Sequence, residues 1–262
     1  EMTMLVLVNN SHFAFRIVEP VIKAHAKKIK AVVISSRIRG NASSALKVLR
    51  KCSRRYAAYR ILVDIITRTN GLRGKDGVVA LARDQGIPVW TSPNVNQNLG
   101  IREISPFEIG VAINFDQLLR REFLDLFSAG VVNLHASRLP HDKGISPFLW
   151  SFARGDSTIW ATLYRIDEGL DSGPIYEQFN FEVDTDCSAF SLYERICRQG
   201  GERLAQIVER YYCGVLADPC PVLSEEVNPP HSWPDDRFDA MLRNSGRRLI
   251  SCSDVWRSLF SR

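Results

Sequence analysis

The sequence predicts an α/β fold built on a Rossmann-like, mostly parallel sheet, with a β-rich edge, a long helix and a small C-terminal extension. Three observations predict it. Short apolar runs alternate with helix-spaced segments along the first half of the chain, as a parallel sheet requires, because each strand needs a crossover before its neighbour. The rhythm then changes to adjacent β-rich runs joined by a turn-forming stretch. Finally, 262 residues with 45% hydrophobic and 24% charged composition suffice to bury one large core.

Each element follows in order. Met4 to Val8 reads as a buried first strand closed by the polar cluster Asn9, Asn10 and Ser11, and Phe13 to Ala26 carries apolar residues at helical intervals. Lys30 to Ser35 is a second strand, followed by helical spacing from Asn41 to about Thr67. Ile87 to Thr91, Ile109 to Phe115 and Gly130 to His135 are further strands, with Leu118 to Phe127 expected as a helix between the last two. Ile159 to Ile166 and Pro174 to Val183 form the β-rich edge around the turn Asp167 to Gly173, and Ser188 to Tyr212 is the long helical pattern. From Ala217, Pro219, Pro221, Pro229, Pro230 and Pro234 break the regularity, dividing the chain into a core of residues 1–216 and an extension of 217–262.

Composition narrows the function classes. Lysine plus arginine number 34 against 29 aspartate plus glutamate, a net +5 that suits an anionic substrate but lacks the clustered excess of a nucleic-acid binder. Cys52, Cys187, Cys197, Cys213, Cys220 and Cys252 are scattered without a C-x-x-C pair, so no metal site is expected and the thiols suit a reducing compartment. No run approaches the roughly 18 apolar residues of a membrane-spanning helix. The expectation is a cytoplasmic protein with no transmembrane segment.

The stretch Val131-Val132-Asn133-Leu134-His135 is an apolar strand that exposes an amide and an imidazole on one face at its carboxyl end, where ligands of open α/β sheets lie. Such a pair alone also suits a structural role. It continues through Ser137, Leu139 and Pro140 to Gly144, Pro147 and Trp150, and a second loop reads Ile166-Asp167-Glu168-Gly169-Leu170-Asp171-Ser172-Gly173-Pro174-Ile175. Over about Glu108 to Gln178 this combined pattern resembles the folate-dependent formyltransferases: glycinamide ribonucleotide transformylase, methionyl-tRNA formyltransferase and, closest in motif, the sugar N-formyltransferases.

The resemblance implies the formyltransferase fold, 10-formyltetrahydrofolate as co-substrate and an amine as acceptor. By position Asn133, His135 and Asp171 match the family's catalytic asparagine, histidine and aspartate. The residue types suit the chemistry: an amide donor stabilises a developing oxyanion, and an imidazole with pKa near ~6.5 accepts a proton or, protonated, stabilises negative charge. Both roles stay open for His135, with Asp171 to orient it. Phe115, Gln117, Leu118 and Leu119 occupy the family's pterin-contacting segment, beside Asp167, Glu168 and Gly169. Leu118 and Leu119 equally suit the start of an amphipathic helix.

For the acceptor, the matching loops offer Asn10 and Ser11 after the first strand, and Asn94 and Asn96 in Ser92 to Asn96. The first loop departs from the glycine-rich turn of the ribonucleotide transformylases, so a backbone phosphate cradle is not expected there. Trp160 departs too, as a ring that either reshapes the acceptor pocket or packs. Arg50, Lys51, Arg54, Arg55 and Arg60, around Tyr56 and Tyr59, form either a solvated helix face or a surface for an anionic lipid, nucleotide or RNA.

The expected activity is N-formylation of a primary amine, with a nucleotide-linked amino sugar preferred. Alternatives are a free amino acid or natural-product amine, methionyl-tRNA, or a non-catalytic folate-binding module. The roughly 45 residues after Ala217 fall short of the separate barrel that tRNA-formylating relatives carry, so nucleic acid is not the expected partner. Homodimer formation is compatible with the resemblance.

Overall fold

The computed structural model describes residues 3–36, 46–48, 50–72, 77–222 and 229–260. β1 (Met4–Val8) is buried at every position, which is why its sequence runs apolar without alternation. It is followed by α1 (His12–His25) and β2 (Ile29–Ser35), then α2 (Arg54–Leu72), α3 (Val78–Asp84) and β3 (Val89–Ser92). α4 (Leu99–Glu103), β4 (Ile109–Ile113), the single turn α5 (Arg121–Leu124) and β5 (Val131–His135) complete the parallel half. After α6 (Pro147–Arg154), the strands β6 (Thr158–Arg165) and β7 (Ile175–Glu182) add antiparallel to its edge. α7 (Ala189–Tyr212), α8 (Asp236–Asn244) and α9 (Cys252–Phe260) follow.

The strand order is β3-β2-β1-β4-β5-β6-β7. The winding reverses between β1 and β4, so the connections leaving their carboxyl ends diverge to opposite faces and open a crevice. A separate core covers each face: one contains Phe13, Tyr56, Tyr59 and Phe148, and the other Phe107, Leu119, Phe123 and Phe127. That division gives the crevice two walls of different composition.

α7 is set in place by small residues and by its cap. A Cβ on Gly201 would stand 2.5 Å from the Ile17 carbonyl oxygen, and one on Gly200 2.4 Å from Leu134 Cδ2, so glycines let α7 lie directly on α1 and β5. Ser188 caps α7 and donates to Asp254 Oδ2 at 2.6 Å, tying α9 to its first turn. Burial opposes ionisation of Asp254, but bonds from Ser188, Ser251 and Arg257 hold its carboxyl below the usual carboxylate range. Among the described residues no helix is long and apolar enough to cross a membrane.

Two sequence expectations need correction. The helical stretch expected from Asn41 to about Thr67 is interrupted: residues 46–48 are helical, residues 50–52 turn, and α2 runs from Arg54 to Leu72, with residues 41–45 and 49 outside the described ones. The helix expected over Leu118 to Phe127 shrinks to Arg121–Leu124, because side chains hold residues 115–120 in an irregular path. There Gln117 accepts from the Val95 amide at 2.8 Å, and it donates to Ser35 Oγ at 2.7 Å and the Ser92 carbonyl at 2.9 Å. Residues 217–262 carry α8 and α9, and Phe238 and Leu242 are buried in the same core as α6.

Candidate active site

β5 delivers Asn133 and His135 to the crevice two residues apart on one face, and the antiparallel register sets Tyr164 of β6 directly across from Asn133. Asn133 Nδ2 donates to the Tyr164 hydroxyl at 3.1 Å, and that hydroxyl donates to Asp171 Oδ1 at 2.9 Å. Asp171 reaches inward from a left-handed turn, at φ 48°, where aspartate is tolerated better than most residues. Its other oxygen accepts from the Gly144 amide at 2.8 Å and lies 3.8 Å from His135 Nε2. Burial, and then the Asp171 charge, push the Tyr164 phenol well above its ordinary pKa, so it stays a protonated donor.

His135 is oriented by the loop that follows it. Its Nε2 is 3.0 Å from the Asp142 carbonyl, which only accepts, so Nε2 carries the proton and Nδ1 is the basic nitrogen of the neutral ring. The Ser137 hydroxyl donates to the same carbonyl, and Thr162, fully buried, donates to the Ser137 carbonyl at 2.7 Å. Gly144 sits at φ 97°, where a Cβ would meet the His231 carbonyl oxygen at 2.5 Å. Glycine is therefore required by both backbone and space. The Asp142 carboxylate pairs with His231 Nε2 at 2.9 Å and Arg154 at 3.6 Å. Burial opposes its charge, but the His231 hydrogen bond and Arg154 outweigh that and hold the carboxyl below the usual carboxylate range.

Asn133, His135, Gly144, Tyr164, Asp171 and His231 line a cleft of about 810 Å³ that straddles the carboxyl edge of the sheet. The expected co-substrate residues Phe115, Gln117, Leu118, Leu119, Asp167, Glu168 and Gly169 all line it. Gln117 contributes backbone there, since its buried amide is occupied by the bonds to Val95, Ser35 and Ser92. Asp167 Oδ1 accepts from the Gly169 amide and Ser172 hydroxyl, which shapes the second loop.

The expected acceptor residues fare differently. Ser11 lines the cleft, whereas Asn10, Asn94 and Asn96 do not. Asn10 is exposed, and Asn94 caps the short turn Val95–Gln97. Asn96 donates to the Leu118 carbonyl and accepts from the Arg120 amide, each at 2.9 Å, behind the co-substrate wall. Trp160 also lies outside the lining, half-buried with the Arg138 guanidinium 4.8 Å from its ring centroid, so its role is packing.

Other lining residues carried no local signal in the sequence. Asn114, at φ 47°, accepts from Asn9 Nδ2 through its carbonyl at 2.7 Å and from the Tyr193 hydroxyl through Oδ1 at 3.1 Å. Tyr193 stacks on Phe148 with centroids 4.2 Å apart and planes 6° from parallel. The basic cluster divides: Arg54 and Arg55 are exposed, while Arg60 lines the cleft with its guanidinium 5.6 Å from the Trp233 ring centroid. His231 and Trp233 come from beyond residue 216. Arg60 is the exception, visible as a member of the basic cluster four positions after Tyr56 and next to Tyr59; Tyr164 was accessible only through the sheet register.

Comparison with known proteins bears on the whole arrangement. Residues 38–208 match the family model described as formyl transferase. The methionyl-tRNA formyltransferase of Kosmotoga olearia is 31% identical over 142 residues, covering 53% of this chain and 45% of that protein. The chain spans about half the length of the curated relatives it matches. An N-formyltransferase from Helicobacter canadensis, solved with folinic acid and dTDP-3-aminofucose, has a TM-score of 0.57 at 17% identity, covering 87% of this chain and 71% of that one. A sugar N-formyltransferase from Shewanella sp. has a TM-score of 0.58 at 15% identity, covering 99% and 89%. At these identities the structural likeness is one of fold.

Proposed function

The chain belongs to the formyl transferase family, and on that premise we propose that it moves a formyl group from 10-formyltetrahydrofolate to the primary amine of a nucleotide-linked amino sugar. The observation that carries the reading is the meeting of Asn133, His135 and Asp171 at one cleft, joined through Tyr164.

The cleft suits a folate. Residues 115–120 are non-helical, so their peptide groups are not all committed to helix bonds, and residues 115–119 line the cleft together with the Asp167–Gly169 loop. Exposed Leu118 and Leu170 offer apolar surface at the same wall. When bound, the folate supplies a formyl group already carried on nitrogen and open to attack by an amine.

The protein's part is donation, proton handling and orientation. One N–H of Asn133 is held by Tyr164, which fixes the amide so that its second N–H donates to the oxygen gaining charge. Nδ1 of His135 takes the proton the attacking amine must lose as its nitrogen bonds to the formyl carbon, and that proton passes to the folate nitrogen as the bond from it to the formyl carbon breaks, releasing tetrahydrofolate. Asp171, near the same ring, stabilises the imidazolium that results.

For the acceptor, support comes from the aromatic wall of Phe13, Tyr56, Phe148 and Tyr193, and from the dTDP-linked amino sugar carried by the Helicobacter canadensis neighbour. A second reading, formylation of methionyl-tRNA, draws support from the relatives about 30% identical in sequence. Incubation with 10-formyltetrahydrofolate and a panel of amino-sugar nucleotides, amino acids and methionyl-tRNA separates these. The expected result is tetrahydrofolate release with a mass gain of one formyl group on an amino-sugar nucleotide. Product on methionyl-tRNA alone would replace the acceptor, and no turnover with any amine would reject formyl transfer.

A further inference from the structure

An acceptor that carries phosphate needs a cation or a set of free N–H groups, and the start of α1 does not supply the latter. The Ser11 amide donates to the Asn9 carbonyl at 3.2 Å, the His12 amide to Thr67 Oγ1 at 3.1 Å, and the Ala14 amide to Ser11 Oγ at 3.1 Å. Three of the N–H groups that would cradle an anion are thus already bonded, in line with the missing glycines of that loop.

A cation stands on the next helix instead. Arg60 lines the cleft from α2, half-buried, with its guanidinium 5.6 Å from the Trp233 ring centroid. Tyr56, one turn earlier, puts its hydroxyl beside Arg60 and 3.4 Å from Ser146 Oγ. Ser146 follows two residues after Gly144, whose amide binds Asp171, so the Tyr56 hydroxyl ties α2 to the loop that frames the reacting centre, and Arg60 stands one helical turn further along α2.

The carboxylates of the cleft are elsewhere. Asp116, Asp167 and Glu168 come from the loops after β4 and β6, on the other wall, and Asp171 is held within the reacting centre by Gly144 and Tyr164. The carboxylate whose charge reaches Arg60 is Asp64, which is not part of the cleft lining. Burial works against the Arg60 charge, and the Tyr56 hydroxyl and Asp64 outweigh it, so the guanidinium is held charged against an apolar, aromatic surface. An oxyanion arriving there gains a planar, bidentate donor in a partly desolvated setting.

We propose that Arg60 and Trp233 form the subsite for the nucleoside diphosphate end of the acceptor. Arg60 takes phosphate oxygens, and the Trp233 indole offers a face for the base. The inference rests on the reading of this cleft as an amine-formylating site, and it assigns acceptor recognition to α2 and residues 231–233 rather than to the loop after β1.

Calorimetric titration of the chain with dTDP, UDP, inorganic pyrophosphate and 5-formyltetrahydrofolate tests it. The expected result is binding of a nucleoside diphosphate that weakens at least tenfold in Arg60→Ala and less in Arg60→Lys. Trp233→Ala is expected to weaken the nucleotide while leaving pyrophosphate unchanged, and 5-formyltetrahydrofolate is expected to bind all variants alike, which also reports that they are folded. Equal nucleotide affinity in wild type and Arg60→Ala overturns the proposal, as does a wild type that binds no nucleoside diphosphate or binds pyrophosphate as tightly. Loss of 5-formyltetrahydrofolate binding by the wild type sinks the formyl-transfer reading instead, a distinct outcome.

Discussion

The two walls of the cleft stand on opposite faces of one sheet and are made of different chemistry. The wall after β4 and β6 presents Asp116, Asp167, Glu168 and irregular backbone held from behind by Gln117 and Asn96. The wall from α1, α2, α6 and α7 presents Phe13, Tyr56, Phe148 and Tyr193, with Arg60 as a half-buried cation. Between them, Asn133, Tyr164, Asp171 and His135 are linked to one another and to the 142–144 loop. The difference separates tasks: the walls select what binds, and the hydrogen-bonded centre sets how fast it reacts.

The strongest way to break that separation is at Asn133. Removal of one preorganised oxyanion donor costs about 2.7–4 kcal/mol of transition-state stabilisation, so Asn133→Ala is expected to lower kcat roughly a hundredfold or more with little change in either KM. Steady-state kinetics in both substrates check this. A variant that raises KM at unchanged kcat would place Asn133 on a wall.

Tyr164→Phe probes the same centre more gently, because Tyr164 is a positioning residue. Loss of its hydroxyl leaves Asn133 Nδ2 and Asp171 Oδ1 without the partner that now joins them, at 3.1 and 2.9 Å. One hydrogen bond contributes about 0.5–1.5 kcal/mol, so kcat is expected to fall by up to roughly tenfold while the KM values stay put. The split between kcat and KM distinguishes this from a general loosening of β6, which would move all three.

Asp142→Asn tests how residues beyond 216 are clasped to the centre. The depressed Asp142 pKa gives a definite sign: the native state favours the ionised form, so this stabilisation is present above the ordinary carboxylate pKa of ~3.9 and is lost as pH falls through the lower native value. Hydrogen bonds to charged groups are worth about 1.5–3 kcal/mol, and partial solvation here brings the expectation to about 1 kcal/mol near pH 7. The variant is expected to melt roughly 2–4 °C lower at pH 7, and the gap to wild type is expected to close below pH ~4. A gap that widens in acid would contradict the assignment.

Legibility from sequence followed how local each feature is. Strands buried on both faces leave unbroken apolar runs, so β1, β4 and β5 stand out directly, and the two-residue period puts Asn133 and His135 on one face. Asp171 was legible through the spacing of its loop. α2 was less so, since Tyr56 and Tyr59 are buried whereas Ile61 and Ile65 are half exposed, which blurs its apolar stripe. Leu118 and Leu119 mimic a helix start, yet Leu118 is 65% exposed and Leu119 5%, in a segment fixed by the Gln117 amide. Tyr164, His231 and Trp233 reach the cleft through sheet register and packing of distant segments, for which neighbouring residues carry no signature, and Arg60 was legible only as one member of a basic cluster whose other arginines Arg54 and Arg55 are exposed.

Asn96 offers the finest test, because its residue type and loop suggested the acceptor while its bonds point to the other wall. Its side chain holds the Leu118 carbonyl and the Arg120 amide, the two ends of the turn that presents the Leu118–Leu119 backbone. Both bonds are exposed, so each contributes near the low end of about 0.5–1.5 kcal/mol. Asn96→Ala is therefore expected to raise the folate KM by roughly two- to fivefold and to leave the acceptor KM unchanged. The reverse pattern would return Asn96 to the acceptor side and remove the division of the cleft into two chemically distinct walls. Asn94→Ala is the matched control: its side chain caps the neighbouring turn, donates to Gln97 Oε1 at 2.9 Å and meets Asn96 Nδ2 only at 3.4 Å, so it is expected to alter neither KM by as much as twofold.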